Sequence, residues 1–249
     1  MAPPSSHISP EIFDAVPELT AAISTRQGGE PGDSFGMNLS YNVGDEEERV
    51  ARNRVRFFSS LNVPQEALAF PRQVHSGVVR LVRSPGPVPD CDAVMTDALG
   101  LFLAISIADC LPILLADPVR HAIAAVHSGW RGSAQKIAAS AVRLLKAELG
   151  SEPRDILAYL GPSAGVCCYE VSPELAGEFD PAFVRKSEGK ARPHLDLKEL
   201  NRNLLVNSGL RVDHIEVSPH CTICSPALFH SYRRDGKKSG RMLAVIGMH

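Results

Sequence analysis

The sequence predicts an α/β fold, a single-domain layered α/β sandwich built around a mixed sheet. Short apolar runs alternate with segments of helical periodicity along the chain. The hydrophobic fraction is 44%, which suits a globular protein whose core needs no disulfide bonds. No long linker divides the sequence. We therefore expect one domain over residues 1–249, with a flexible N-terminal segment at residues 1–12.

Eight apolar runs rich in Ile, Val, Leu and Ala are typical of buried strands. They lie at residues 78–82, 93–97, 102–107, 112–117, 122–127, 156–161, 215–219 and 242–247. The stretch at 99–116 is long enough to suggest a membrane span. However, Asp109 and Pro112 interrupt it, so two strands joined by a bend are the better interpretation.

Four segments show helical periodicity, at residues 46–61, 133–149, 173–178 and 196–208. In the second segment Ile137, Ala141 and Leu145 share one face, and Gly150 supplies a stop. Strands and helices that follow one another in this way indicate helices layered on a sheet.

The charge balance restricts the partners. Lys plus Arg number 26 and Asp plus Glu number 28, which gives a net charge of −2. Such a chain is not a general binder of nucleic acid or membrane surfaces, and a local cluster must recognise any anion. The N-terminus shows no secretion signal. We therefore expect a cytoplasmic protein with reduced cysteines, and we favour a monomer.

Three residues at predicted strand ends have the chemistry of metal ligands. His75 precedes a strand, Cys110 lies in the bend, and His127 ends a strand before "SGWRGSA". The separations, 110 − 75 = 35 and 127 − 110 = 17, are too long for a zinc finger or ribbon. Three protein ligands with an open position are typical of catalytic zinc, which acidifies bound water to a pKa of about 7.

Other polar residues could assist such a site. Asp109 could orient a ligand or act as a general base, or it could only cap a turn. Arg131, in a turn before a helix, and Arg26, before two glycines, could bind an anion. The simpler alternatives are a capped helix start and ordinary surface arginines.

The remaining cysteines carry weaker signals. "CTIC" (221–224) is a lone Cys-x-x-Cys, and a structural zinc site normally needs two such pairs, so inert thiols are favoured. Cys167 and Cys168 are adjacent, so in a strand they would point to opposite faces. At most one would face a given site, and Cys168 could form a pocket wall.

Several motifs together resemble one family. They are "STRQGG", "MNLSYNVGD", "RQVHSG", "DCDAVMTD", "IADCLPILLADP", "AVHSGWRGSA", "LGPSAGVCCYEV", "CTIC" and "HSYRRDGKKSGRM". The resemblance is to the laccase-domain proteins, also known as YfiH-type purine nucleoside phosphorylases or polyphenol oxidases, with a peptidoglycan editing factor branch. It extends from about Ile23 to Gly247.

The resemblance implies a cytotoxic-necrotizing-factor-like α/β fold and a metal site formed by His75, Cys110 and His127. It implies phosphorolysis of adenosine, inosine, guanosine and methylthioadenosine, and deamination of adenosine. Arg26 and Arg131 would then bind the nucleoside or phosphate. The chemistry of the residues, rather than the resemblance, suggests that Cys110 and Asp109 take part in catalysis. The cofactor would be zinc, with copper as the other candidate.

Two other enzymes use the same residues. In a Cys–His hydrolase, which would suit the editing of peptidoglycan precursors, Cys110 would be the nucleophile and a histidine the base. In a copper-dependent polyphenol oxidase, two histidines and a thiolate would hold a single copper. A four-copper laccase needs many paired histidines, whereas this chain has nine histidines and no His-x-His. A binding protein without activity would leave the three residues apart.

Overall fold

The structure is a computed structural model that describes residues 6–30, 32–186 and 192–249. The strands are β1 His7–Ile8, β2 Leu19–Ser24, β3 Leu68–Pro71, β4 Val79–Leu81, β5 Gly86–Val88, β6 Ala93–Thr96, β7 Phe102–Ile107, β8 Leu111–Asp117, β9 Ala122–Ser128, β10 Leu157–Leu160, β11 Val184–Arg185, β12 His194–Leu195, β13 Ile215–Val217 and β14 Met242–Met248. The α-helices are α1 Glu47–Ser60, α2 Trp130–Ala134, α3 Ile137–Leu149, α4 Pro173–Ala176, α5 Leu197–Asn207 and α6 Tyr232–Asp235.

Two mixed six-stranded sheets form the centre of the fold. The first has the order β1-β2-β14-β7-β3-β5, and the second has the order β13-β10-β8-β9-β6-β4. In the first sheet β3 runs parallel to β7 and β5, while the other neighbours are antiparallel. The bend between β7 and β8 joins an interior strand of the first sheet to an interior strand of the second, so it lies at the ends of these strands.

The sheets pack face to face, and helices cover their outer faces. Leu103 and Ile246 of the first sheet share a buried cluster with Leu114 and Ile123 of the second. Outside the first sheet lies α1, and α3 and α5 lie outside the second. Because the central strands are buried on both faces, they appear in the sequence as continuous apolar runs. The result is the single-domain α/β sandwich with mixed sheets that the sequence predicts.

All eight predicted strands are present, and their ends differ from the predicted ones by two residues or fewer. Sequence reasoning missed β2 and β3 and the short strands β1, β5, β11 and β12. Two of these, β3 and β5, contain Pro or Gly, which are uncommon within strands. The predicted bend within 99–116 is confirmed. Among the described residues, no helix is both long and apolar enough to cross a bilayer.

One local prediction is wrong. The helix predicted over 133–149 is two helices, α2 and α3, because Lys136 adopts a left-handed backbone with φ of 57°. The N-terminal segment 1–12, which we expect to be flexible, contains β1, and β1 pairs antiparallel with β2. The pairing satisfies backbone N–H and C=O groups of β1. Sequence patterns alone do not reveal such a pairing. Residues 1–5 of that segment lie outside the described residues.

Leu114→Ala tests whether the layer between the sheets stabilises the fold. Leu114 is fully buried, so we expect the free energy of unfolding to fall by roughly 2–5 kcal/mol. The measurement is guanidinium unfolding followed by circular dichroism. The matched control is Leu99→Ala at a position that is 59% exposed, where we expect a change within roughly 0.5 kcal/mol. Equal losses in the two variants would contradict the layered core.

Candidate metal centre and cleft

Three side chains converge at the end of the second sheet where β8 begins and β9 ends. His75 lies in the loop before β4, Cys110 in the bend before β8, and His127 near the end of β9. One ligand atom from each lies within 4.8 Å of the other two. His127 is opposite Pro112 in the β8–β9 register, so the bend carries Cys110 to the end of β9. The structure therefore brings together the three residues that the sequence singled out.

Asp92, which sequence reasoning did not select, holds two of the three. Its carboxylate is buried and accepts hydrogen bonds from Nδ1 of His127 (2.9 Å) and from the backbone N–H of His75 (3.0 Å). Ser76 donates its N–H and its hydroxyl to the same carboxylate. The available signal was an aspartate directly before a buried strand, where a carboxylate needs a partner. Because Nδ1 of His127 faces Asp92, Nε2 is left for a ligand.

The three groups around His127 perturb one another electrostatically. Burial alone raises the pKa of Cys110, but the neighbouring His127 and His75 lower it to about 6. Burial alone lowers the pKa of His127, but the Cys110 thiolate and Asp92 raise it to about 9. Burial raises the pKa of Asp92, and its hydrogen bonds from His127 and Ser76 lower it to about 2. Without a metal, Cys110 and His127 therefore form a thiolate–imidazolium pair near neutral pH.

Gly129 leaves space for the cluster. A Cβ atom at this position would lie 2.9 Å from Sγ of Cys110 and 3.6 Å from the ring of His75. The backbone of Gly129 is extended, with φ of −78° and ψ of −177°, a conformation that any residue can adopt. Glycine is therefore required here by the close approach of the thiol and not by the backbone conformation.

Asp109 is anchored rather than free. It has φ of 86°, which is unusual for a residue other than glycine. Its buried carboxylate accepts hydrogen bonds from the hydroxyls of Thr222 (2.6 Å) and Ser231 (3.0 Å) and from the N–H of Arg233 (2.6 Å). These bonds fix the backbone that precedes Cys110. The geometry thus favours a positioning role for Asp109 over the general base considered from the sequence.

A cleft of about 690 Å³ opens above the three donors. Besides His75, Cys110 and His127, it is lined by Asp109 and by two sets of side chains, the arginines Arg54, Arg72, Arg233 and Arg241 and the aromatic residues Tyr41, Phe70, Tyr169 and Tyr232. Three of the guanidinium groups lie over tyrosine rings, at 5.1 to 5.6 Å. Four guanidinium groups outnumber the one carboxylate of this lining, so the cleft presents net positive charge and exposed rings.

The two arginines selected from the sequence lie elsewhere, since neither belongs to the described lining of this cleft. Nη1 of Arg26 donates to the carbonyl of Pro226 at 3.0 Å. The Arg131 guanidinium lies 4.2 Å from the ring centroid of Trp130. Arg131 is exposed in the short helix α2. The cleft arginines come from α1, the loop after β3, α6 and the segment before β14, which only the fold brings together.

The donor set fits a transition-metal ion. Two imidazoles and one thiolate suit zinc or copper, and three protein ligands leave a position open to the cleft. The buried carboxylate behind His127 is the usual second partner of a metal-bound histidine. His75, Cys110 and His127 are the residues that would hold the ion, and their types alone do not distinguish between the two metals.

Comparison with known proteins gives extensive matches. A family model described as multi-copper polyphenol oxidoreductase laccase matches residues 20–249. Purine nucleoside phosphorylase YlmD of Bacillus subtilis (strain 168) is 34% identical over 247 residues, which cover 93% of this chain and 89% of that protein. Adenosine deaminase RL5, from an unknown prokaryotic organism, is 32% identical over 247 residues, which cover 92% and 94%. The crystal structure of YlmD from Geobacillus stearothermophilus has a TM-score of 0.91 at 33% identity, covering 100% of this chain and 98% of that one.

Asp92→Asn tests the carboxylate behind His127. An amide keeps the size of the side chain but removes the charge that orients His127, so we expect zinc affinity to fall by roughly 10- to 100-fold. Competition with a chromophoric chelator measures this affinity. The control is Asp97→Asn, which removes a carboxylate that pairs with Arg83 on the surface and should leave zinc affinity unchanged. Unchanged affinity in Asp92→Asn would exclude the proposed support.

Cys110 of the metal-free protein should react as a thiolate. Since its pKa lies at about 6, alkylation should be near its maximum at neutral pH and fall as the pH drops through about 6. Peptide mass spectrometry after iodoacetamide pulses at a series of pH values measures this. Cys91 serves as the internal control, because burial raises its pKa to about 11. A midpoint near the ordinary ~8.5 of a free thiol would contradict the ion pair.

Proposed function

We propose a function for this chain, which belongs to the multi-copper polyphenol oxidoreductase laccase family. We infer that it is a zinc-dependent purine nucleoside phosphorylase. The chain is an enzyme, as are the relatives named as purine nucleoside phosphorylase and adenosine deaminase. We assign adenosine, inosine, guanosine and methylthioadenosine as substrates, with phosphate as the second substrate. Adenosine deamination is a second reaction of the same site.

One observation supports this proposal above all others. The three metal donors lie at the floor of a cleft whose walls combine arginines with exposed aromatic rings. A purine nucleoside offers a flat base to stack on rings, and phosphate offers an anion that guanidinium groups bind through paired hydrogen bonds. A volume of about 690 Å³ is in the range of small-molecule sites.

In phosphorolysis a phosphate oxygen forms a bond to C1′ of the ribose while the C1′–N9 bond breaks. The purine leaves with the bonding electron pair and takes up a proton. The arginines would hold phosphate against C1′, and Tyr41, Tyr169 and Tyr232 would hold the base. Such positioning converts an encounter of two substrates into a reaction within one complex.

Zinc held by His75, Cys110 and His127 would supply a Lewis acid at the floor of the cleft. The number of histidine ligands favours zinc over the copper centres of an oxidase. Within residues 6–30, 32–186 and 192–249, neither group of potential metal ligands contains more than two histidines. A multi-copper cluster needs more imidazoles than this. A single copper at the same three ligands remains the competing occupant, and metal analysis decides between them.

A second candidate function rests on the thiolate–imidazolium pair. The lowered pKa of Cys110 beside His127 is the property of a cysteine nucleophile with a histidine base. A hydrolase with this pair would attack a carbonyl, as in the removal of an amino acid from a peptidoglycan precursor. Zinc and the nucleophile compete for the same sulfur, so occupancy by metal separates the two functions.

Turnover of purine nucleosides with and without phosphate tests the proposed function. We expect the purified protein to carry zinc at the three-ligand site and to release free base only when phosphate is present. Cys110→Ser should lose this metal and at least roughly 100-fold in kcat/KM. Arg72→Ala should keep the metal and raise the KM for phosphate by roughly 10-fold, while Arg83→Ala, on the surface outside the cleft, should change neither.

Two results would contradict the phosphorylase. Full zinc occupancy with no turnover of any of the four nucleosides would exclude it. Activity in the metal-free protein that iodoacetamide abolishes would favour the thiol hydrolase. Ammonia released from adenosine without phosphate would identify deamination.

A further inference from the structure

A second group of thiols lies apart from the three-ligand centre. Cys167 and Cys168 belong to the loop between β10 and α4, and Cys221 and Cys224 belong to the loop between β13 and α6. The four sulfur atoms all lie within 4.8 Å of one another. Sγ of Cys224 is 3.2 Å from Sγ of Cys168 and 3.5 Å from Sγ of Cys167.

The sequence favoured inert thiols here, and two of its premises do not hold. Cys167 and Cys168 lie in a turn rather than a strand, with the N–H groups of Cys168 and Tyr169 both donating to the carbonyl of Gly165. Both thiols of this turn therefore reach the same cluster. The second cysteine pair that "CTIC" lacked is supplied by this distant loop, through a bridge that pairs Ser163 with Cys221.

The spacing of the sulfur atoms fits four ligands around one ion. Four thiolates at about 2.3 Å from zinc form a tetrahedron with edges of about 3.8 Å, whereas a disulfide bond measures about 2.05 Å. The observed distances of 3.2 and 3.5 Å are closer to the tetrahedral edge. Four thiols from two loops complete the tetrahedral set without any further ligand.

The surroundings also suit a negatively charged sulfur cluster. The N–H of Gly165 donates to Sγ of Cys221 at 3.2 Å, and the N–H groups of Ile223 and Cys224 point to the same sulfur. A Cβ on Gly165 would lie 3.2 Å from Sγ of Cys167 and 3.1 Å from Cβ of Cys221. The ammonium of Lys198, held by the carbonyls of Ser218 and His220, lies close enough to interact with Cys221 and Cys167.

We propose that Cys167, Cys168, Cys221 and Cys224 bind a structural zinc ion that fastens the β10–α4 loop to the β13–α6 loop. A closed set of four thiolates has no open position, which is the pattern of structural rather than catalytic zinc. This site is independent of the nucleoside reaction. It acts on the cleft only by position, because Thr222 beside Cys221 binds Asp109, and Tyr169 beside Cys168 lines the cleft.

Metal content of the purified full-length chain tests the proposal. We expect two zinc ions per chain in the wild type and in Cys91→Ala, the matched control that removes a buried thiol outside both clusters. Cys224→Ser, at an exposed position that can be changed with little effect on packing, and Cys221→Ser should each lower the total by one. Cys110→Ser should also lower it by one, by emptying the other site.

Cobalt substitution identifies which site is filled. Four-thiolate cobalt gives stronger sulfur-to-metal charge-transfer absorption than a site with two imidazoles and one thiolate. We expect the strong absorption to persist in Cys110→Ser and to be lost in Cys224→Ser. Chelation should lower the thermal midpoint of Cys110→Ser, whose remaining zinc is at the cysteine cluster, by roughly 5–10 °C.

Two results would overturn the proposal. One is a single zinc per wild-type chain that Cys110→Ser removes and Cys224→Ser leaves in place. The other is a mass two hydrogens lower than expected in freshly purified protein, with the cysteines joined as a disulfide and no cobalt uptake by Cys110→Ser. Failure of the nucleoside assays would leave both readouts intact, so the two proposals fail separately.

Discussion

The buried carboxylate of Asp92 is the interaction on which the three-ligand centre depends. It accepts a hydrogen bond from Nδ1 of His127 on β9 and four hydrogen bonds from the loop that carries His75. A carboxylate removed from water is costly unless its oxygens are satisfied. The loop therefore closes around it, and this fixes the position of one histidine and the tautomer of the other. Two of the three candidate ligands are oriented by one side chain that does not belong to the ligand group itself.

The third ligand, Cys110, is positioned by the bend between β7 and β8. β7 belongs to one sheet and β8 to the other, so the bend between them crosses from sheet to sheet at the ends of the strands. The crossing requires the unusual backbone of Asp109, and strain of this kind persists only where the surroundings hold it in place. Thr222, Ser231 and the N–H of Arg233 do so from the C-terminal part of the chain. Cys110 is thus held by residues more than 100 positions away in sequence.

Much of this arrangement could be predicted from the sequence, and the remainder could not for specific reasons. Apolar runs located the central strands, because strands buried on both faces leave a continuous signal. His75, Cys110 and His127 stood out because polar residues at the ends of buried apolar runs need a hydrogen-bonding or metal partner. Asp92 left only a local hint, and its partner is 35 residues away. Arg54 and Arg241 reach the cleft only through long-range pairing, so sequence proximity pointed instead to Arg26 and Arg131. The proximity of the four cysteines was not predicted, because a turn and not a strand carries Cys167 and Cys168.

The two thiol-containing centres differ in ways that follow from their surroundings. Sγ of Cys110 lies beside two imidazoles beneath a cleft, so an ion held there would have a position open to the cleft. The cysteine cluster uses all of its ligand positions, so an ion there can only join segments of chain. The segments it joins carry Thr222 and Tyr169, one behind Asp109 and the other in the cleft wall. Because the cluster and the cleft share these loops but no ligand, the cluster can set the geometry of the reaction site without entering its chemistry.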